Sequence, residues 1–128
     1  MLQPKTEYAG MHLIADFWDG NITESKKELR KILLEAAKRA GSTPLKMVIH
    51  KFQPQGLAGI ILLAESHISI HTWPEIHYMA VDVFTCGAKT QCQRALEYLK
   101  DSFHPQKVQL TQLKRGLRQK KKSAHEHS

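Results

Sequence analysis

An apolar segment that runs directly into a polar cluster is the strongest constraint on how this chain can fold. Leu57–Ala64 is almost wholly apolar, and Glu65–Glu75 follows it with carboxylates, hydroxyls, two imidazoles and one tryptophan. Short apolar runs bounded by turn residues are typical of buried strands, and Gln53–Gly56 is such a turn. The sequence therefore predicts a buried strand that delivers reactive side chains at its end.

Two other segments have the apolar period of amphipathic helices. Ser25 and Glu28 form a possible capping box before the first helix, and Gly41 is a natural stop after it. The second helix is expected to end before Pro105. The two apolar stripes consist of Leu29, Ile32, Leu33, Ala36, Ala37 and Ala40, and of Cys92, Ala95, Leu96, Leu99 and Phe103.

The remaining apolar segments are predicted to be strands. Their order with the helices is strand, helix, several strands, helix, strand. This order predicts an α+β fold, a two-layer sandwich of a mostly antiparallel sheet with two helices on one face, similar to β-α-β-β-α-β. The predicted strands are Met11–Trp18, Leu45–Phe52, Leu57–Ala64, His67–Trp73, Tyr78–Cys86 and Lys107–Leu113.

Length and charge indicate one domain followed by a basic tail. The chain has 128 residues and a net charge of +7, and residues 114–122 hold six basic side chains. Residues 114–128 contain these six positive charges and the negative charge of Glu126, a net +5. Residues 1–113, the predicted domain, therefore have a net charge of +2. We expect residues 114–128 to be a disordered, solvated tail; nucleic-acid or membrane binding is disfavoured because no aromatic residue is interleaved for base stacking.

The chain shows no signal sequence or apolar run long enough to span a membrane, and its two cysteines have no metal-site spacing. We therefore expect a cytoplasmic protein.

Ser66 is the residue of the cluster whose chemistry is most distinctive. No Gly-x-Ser-x-Gly elbow or clear triad surrounds it, which disfavours an ordinary serine hydrolase. Ser66 could instead attack the preceding carbonyl, that of Glu65, and turn the peptide into an ester. Elimination would then cut the chain and leave a dehydroalanine, and hydrolysis with loss of ammonia would convert it to a pyruvoyl group. That group forms a Schiff base with an amine substrate and withdraws electrons from it.

Three motifs resemble the small prokaryotic S-adenosylmethionine decarboxylases, which are pyruvoyl-dependent. They are Phe52–Gly56, Glu65–Glu75 and Asp82–Gly87, and the likeness extends from about Gly10 to Gly116. The resemblance implies decarboxylation of S-adenosylmethionine to the aminopropyl donor for spermidine synthesis. It also implies a homodimer of cleaved protomers with active sites near the subunit interface, and no metal or added cofactor.

The same resemblance implies roles for individual residues. Cleavage would fall between Glu65 and Ser66, and Ser66 would become the pyruvoyl group. His71 would transfer a proton during processing, and Cys86 would reprotonate the substrate α-carbon. For the substrate, Glu75 would hold the ribose hydroxyls, Phe52 would stack on adenine near the sulfonium, and Trp73 would line the pocket.

Two features depart from simple strand geometry or from the family. In a continuous strand, Ser66 and His71 would lie on opposite faces, so the roles above predict a bulge or turn near residues 65–67. The second feature is Ala58, since relatives usually carry a serine or threonine eight residues before the cleaved serine to aid processing. Ser69, Thr72 or water could supply the missing hydroxyl.

Two other functions remain open. The chain could be an arginine or ornithine decarboxylase built on the same machinery, although an adenine platform would then have nothing to hold. It could also be an unprocessed homologue that binds a ligand or nucleic acid. A metal site at His67, Ser69 and His71 is disfavoured, because no second cluster supplies further ligands.

Overall fold

A computed structural model describes residues 8–64, 66–85 and 89–118, with only the backbone described at residues 89 and 90. The elements are β1 (Gly10–Trp18), α1 (Lys26–Arg39), β2 (Pro44–Lys51), β3 (Leu57–Leu63), β4 (Ser66–Trp73), β5 (Tyr78–Thr85), α2 (Lys89–Phe103) and β6 (Lys107–Arg115). A short 3-10 helix, Pro74–Ile76, joins β4 to β5.

The strands form one six-stranded antiparallel sheet in the order β2-β3-β4-β5-β1-β6. Strands β2, β3, β4 and β5 are neighbours in chain order, whereas β1 lies between β5 and β6. The predicted α+β fold is therefore confirmed, and β1 and β5 are direct neighbours although they are far apart in sequence.

Both helices pack on the same face of the sheet, α1 over β2 and β3, and α2 over β5 and β1. The Ser25 hydroxyl caps α1 by accepting a hydrogen bond from the Glu28 backbone N–H at 3.1 Å. Gly41 follows the helix with φ of +71°, a conformation that glycine adopts without strain. Cys92 of α2 is fully buried, as its place in the apolar stripe predicted.

Strand alternation divides the sheet into two faces. In β4, Ile68, Ile70 and Thr72 are buried toward the helices, whereas the residues between them are only partly buried on the other side. We call this second side the open face, because both helices lie against the first.

The final strand runs beyond the expected domain boundary. β6 includes Lys114 and Arg115, which pair with Met11 and Gly10 of β1, so these two basic residues belong to the sheet and not to the tail. Residues 119–128 lie outside the described part of the chain. Among the described residues, no helix is long and apolar enough to cross a bilayer.

Candidate active site

A shallow cavity of about 420 Å³ lies on the open face. Its floor contains small side chains of neighbouring strands, including Ala58 of β3 and Ala80 of β5. These two alanines flank His71 of β4 directly, one on each side. Small neighbours leave the histidine ring standing above the sheet, where a ligand can reach it.

Phe52, His71 and Trp73, three residues selected from the sequence, form one aromatic stack at this cavity. The His71 ring lies 5.4 Å from that of Phe52 with an interplanar angle of 8°, and 3.9 Å from that of Trp73 at 13°. Phe52 follows β2 and is partly exposed, so the turn between β2 and β3 folds it over the open face. Because neighbouring rings cover one another's faces, a planar ligand can meet this stack at its Phe52 end or along its edges.

Tyr78 fixes the far side of the stack. Its ring packs against Trp73 at 5.2 Å and against Trp18 at 4.6 Å, and its hydroxyl donates a hydrogen bond of 2.5 Å to Asp16. Burial, aided by the hydrogen bond to Asp16, raises the pKa of Tyr78 to about 12. The phenol therefore stays protonated and keeps donating across the range in which enzymes work.

Ser66 lies on the opposite side of the sheet from His71. It is the first residue of β4, it pairs with Leu63, and it is buried toward the helices together with Ile68 and Ile70. No register shift occurs between Ser66 and His71, so the structure has no bulge at residues 66 and 67; the rest of the bulge or turn expected near residues 65–67 falls on Glu65, outside the described residues. Five strand steps separate the two residues by roughly 16 Å.

The Ser66 side chain lines a second, smaller cavity of about 220 Å³ on the helix side. Thr85, the last residue of β5, and Gln91, near the start of α2, line the same cavity, as does Gly41 after α1. Cys86 follows Thr85 directly in sequence, but Cys86 and Glu65 lie outside the described residues. Their predicted roles remain predictions.

The Ser69 and Thr72 hydroxyls, which could replace the hydroxyl missing at Ala58, both form other hydrogen bonds. The Thr72 hydroxyl is buried and accepts a hydrogen bond from the Leu57 backbone N–H at 2.9 Å. The Ser69 hydroxyl lies on the open face and donates to Asp82 at 3.4 Å. Ser69 is therefore the one of the two that shares a face with His71.

Glu75 lies on the 3-10 helix after Trp73 and is exposed. Its position beside the end of β4 places it near Trp73 in sequence, but it does not line the open-face cavity. A ribose-binding role for Glu75 therefore stays a prediction from the family motif.

Several open-face residues were not singled out from the sequence. Asp82 accepts a hydrogen bond from His12 at 3.2 Å, and Arg115 lies 3.3 Å from the other His12 nitrogen. Burial, together with the proximity of His12, lowers the pKa of His67. The sequence could have indicated these residues, because polar side chains occur at alternate positions of β1 and β5. Side chains at alternate positions of a strand lie on the same face of the sheet.

Across the described residues, no group of three or more histidine, cysteine, aspartate or glutamate side chains is placed to hold a metal ion.

Known proteins resemble this chain in sequence along most of its length. The family model described as S-adenosylmethionine decarboxylase matches residues 11–116. An S-adenosylmethionine decarboxylase proenzyme from Clostridium kluyveri is 40% identical over 110 residues, covering 84% of this chain and 87% of that protein. One of the same name from Methanococcus aeolicus is 41% identical over 112 residues, covering 86% and 96% of the two chains.

A solved structure agrees in fold. The crystal structure of the adenosylmethionine decarboxylase from Aquifex aeolicus superposes with a TM-score of 0.82 at 32% identity, covering 92% of this chain and 99% of that chain. The fold, the aromatic stack and these relatives lead to one conclusion: this chain belongs to the S-adenosylmethionine decarboxylase family.

Proposed function

We propose that this protein is a pyruvoyl-dependent decarboxylase that converts S-adenosylmethionine to the aminopropyl donor for spermidine synthesis. The observation that carries the proposal is the stack of Phe52, His71 and Trp73 beside an open cavity, in a chain that belongs to this family. An adenine ring needs such a platform, whereas arginine and ornithine offer no ring to place on it.

Self-cleavage between Glu65 and Ser66 is the first step of the proposal. Ser66 has the hydroxyl that the conversion requires; it is the first residue of β4 and follows Glu65 directly in sequence. When formed, a pyruvoyl group supplies a carbonyl that reacts with the substrate amine and accepts electrons as carbon dioxide leaves.

The open face supplies substrate binding. Phe52, the partly exposed end of the stack, presents its ring to the adenine, and Trp73 lines the cavity. An aromatic face attracts a nearby cation such as a sulfonium by about 0.5–2 kcal/mol. We assign the ribose hydroxyls to Glu75, which lies just past Trp73. We assign the proton that returns to the α-carbon to Cys86, which follows the last residue of β5.

His71 would have two roles in this mechanism. The family motif assigns it proton transfer during processing, and its ring also forms the middle of the aromatic stack. Because His71 and Ser66 lie on opposite faces, proton transfer between them requires the chain around residue 66 to move. Ring stacking requires no such movement.

A homodimer completes the proposal. The open face carries exposed apolar residues, among them Val48 and Leu62, in addition to the aromatic stack. Two such sheets packing face to face, about 10 Å apart, would bury these residues and enclose the cavity. Active sites would then lie near the subunit interface.

The test combines the denatured intact mass with decarboxylation. We expect two species, each about half of the 14.6 kDa chain, one ending at Glu65 and the other lacking a free amino terminus. The mature protein should release labelled carbon dioxide from S-adenosylmethionine and not from arginine or ornithine. Ser66→Ala should remain one uncut chain and be inactive, and a wild type that stays uncut after long incubation would refute the proposal.

A further inference from the structure

Asp82 is the acidic side chain of the open-face cavity. It lies on β5 directly opposite Ser69 of β4, and among the described residues that line the cavity it supplies the only carboxylate. Ala80, two residues earlier on β5, is the direct neighbour of His71. Asp82 is therefore a diagonal neighbour of His71, with roughly 7–8 Å between the two positions.

The hydrogen bonds around Asp82 connect its carboxylate to Arg115 through the His12 ring. A guanidinium can only donate, so the contact between Arg115 Nη1 and His12 Nδ1 at 3.3 Å makes Nδ1 the acceptor. The imidazole proton then lies on Nε2, which donates to Asp82 Oδ1 at 3.2 Å. His12 therefore accepts a hydrogen bond from Arg115 and donates one to Asp82, and the Asp82 carboxylate is the acceptor in its contacts with His12 and Ser69.

Two other polar neighbours of the Asp82 carboxylate, Ser69 and His67, add no positive charge. The Ser69 hydroxyl donates to Asp82 Oδ2 at 3.4 Å and carries no charge itself. His67, whose ring lies 6.4 Å from that of His12, has its pKa lowered chiefly by burial and so is neutral at pH 7. The cavity therefore has the Asp82 carboxylate at one end, with Arg115 on the far side of the His12 ring, and aromatic rings at the His71 end.

We propose that Asp82 determines specificity by attracting the positive charge of the substrate that lies away from its reacting amine. This inference rests on the proposed function, in which that charge is the sulfonium. In S-adenosylmethionine, a ribose and one methylene separate the adenine from the sulfur. A base that contacts the edges of His71 and Trp73, which line the same cavity as Asp82, can thus direct the sulfonium toward this carboxylate.

The experiment compares two ligands that differ in one charge. The neutral ligand is 5′-methylthioadenosine and the cationic ligand is its S-methyl sulfonium derivative; neither has the amine that reacts with a pyruvoyl group. Their Kd values are measured by calorimetry on the processed wild-type protein and on Asp82→Asn. Because the Asp82 side chain is 33% exposed, solvent screening limits the effect, and we expect a cation preference of about tenfold.

Asp82→Asn should remove most of this preference and leave the Kd of the neutral ligand within about twofold. Asp82→Ser provides a second uncharged variant, with circular dichroism to confirm folding of each. Asp16→Asn is the matched control, since Asp16 lies on the same face, bonded to Tyr78, but does not line the cavity. Asp16→Asn should change both Kd values alike and preserve their ratio.

An unchanged ratio in folded Asp82→Asn or Asp82→Ser would overturn the inference, as would loss of the preference in Asp16→Asn. The proposed function is tested separately by carbon dioxide release from S-adenosylmethionine in the wild type. A wild type that releases carbon dioxide, together with an unaffected ratio in the Asp82 variants, would refute the role of Asp82 alone. A wild type that binds the cation through Asp82 but releases no carbon dioxide would refute the decarboxylase alone.

Discussion

The hydrogen bond between Tyr78 and Asp16 makes the stability of this protein depend on alkaline pH. The two oxygen atoms are 2.5 Å apart, and burial together with this bond and the negative charges of Asp16 and Asp82 raises the pKa of Tyr78 from 10.0 to about 12. An unfolded chain would release the phenolic proton near pH 10, whereas the folded chain holds it. Stability from this bond is therefore fully present below pH 10 and is lost as pH rises toward 12.

The size of the effect follows from the shift. One pKa unit corresponds to about 1.4 kcal/mol, so the shift sets a ceiling of about 2.7 kcal/mol. Tyr78 is only partly buried, and solvent screening reduces this figure; we expect about 1 kcal/mol. Tyr78→Phe should lower the free energy of unfolding by about this amount at pH 8. At pH 11 the difference between wild type and variant should be much smaller.

Urea unfolding followed by far-ultraviolet circular dichroism at both pH values measures the difference directly. Tyr98→Phe is the control, because Tyr98 lies on α2 beneath Arg39, on the other side of the sheet. Its difference from wild type should not vary with pH in this way. The same destabilisation of Tyr78→Phe at pH 8 and pH 11 would show that the bond to Asp16 does not hold the phenolic proton.

Three further substitutions test processing, substrate binding and packing. Ala58→Ser places a hydroxyl beside His71 and should speed cleavage about tenfold, as one hydrogen bond of about 1.4 kcal/mol would allow, provided that residue 66 reaches the open face during processing. Ala80→Ser, on the other flank of the same histidine, should not speed cleavage, and equal rates for both variants and wild type in a time course of intact mass would contradict this. Phe52→Leu keeps an apolar side chain but removes the ring, so it should raise KM about tenfold without slowing cleavage. Phe52→Tyr should keep KM near the wild-type value, and an unchanged KM in Phe52→Leu would exclude stacking of the substrate on this residue. Thr72→Val should lower the free energy of unfolding, measured with urea, by about 1–3 kcal/mol because the Leu57 N–H loses its buried acceptor. Thr72→Ser keeps the hydroxyl and should lower it much less. Equal stability of both variants and the wild type would show that the acceptor is dispensable.

The sequence predicted the elements well because local patterns decide them. In β4, isoleucines alternate with His67, Ser69 and His71, and a period of two can only place these two sets on opposite faces. The helices were equally clear, since stripes such as that of Leu29 and Leu33 repeat at helical spacing. These features depend on residues a few positions apart.

The arrangement of the open face could not be read in the same way, because it depends on strand order. Insertion of β1 beside β5 brings Asp16 to Tyr78 and His12 to Asp82, pairs that are 62 and 70 residues apart in sequence. No local pattern specifies which strands become neighbours. The position of Phe52 over His71 likewise depends on how the turn after β2 folds back across the sheet.

The position of Ser66 limits when the active site can be complete. While Ser66 pairs with Leu63 in an unbroken ladder, alternation holds its side chain toward the helices, and the aromatic stack lies across the sheet. A strand cannot turn one residue to the other face without breaking its pairing there. Decarboxylation therefore requires residue 66 to leave the ladder, and cleavage permits this because it makes residue 66 a chain end. Processing would then be both the source of the pyruvoyl group and the event that allows it to reach the substrate.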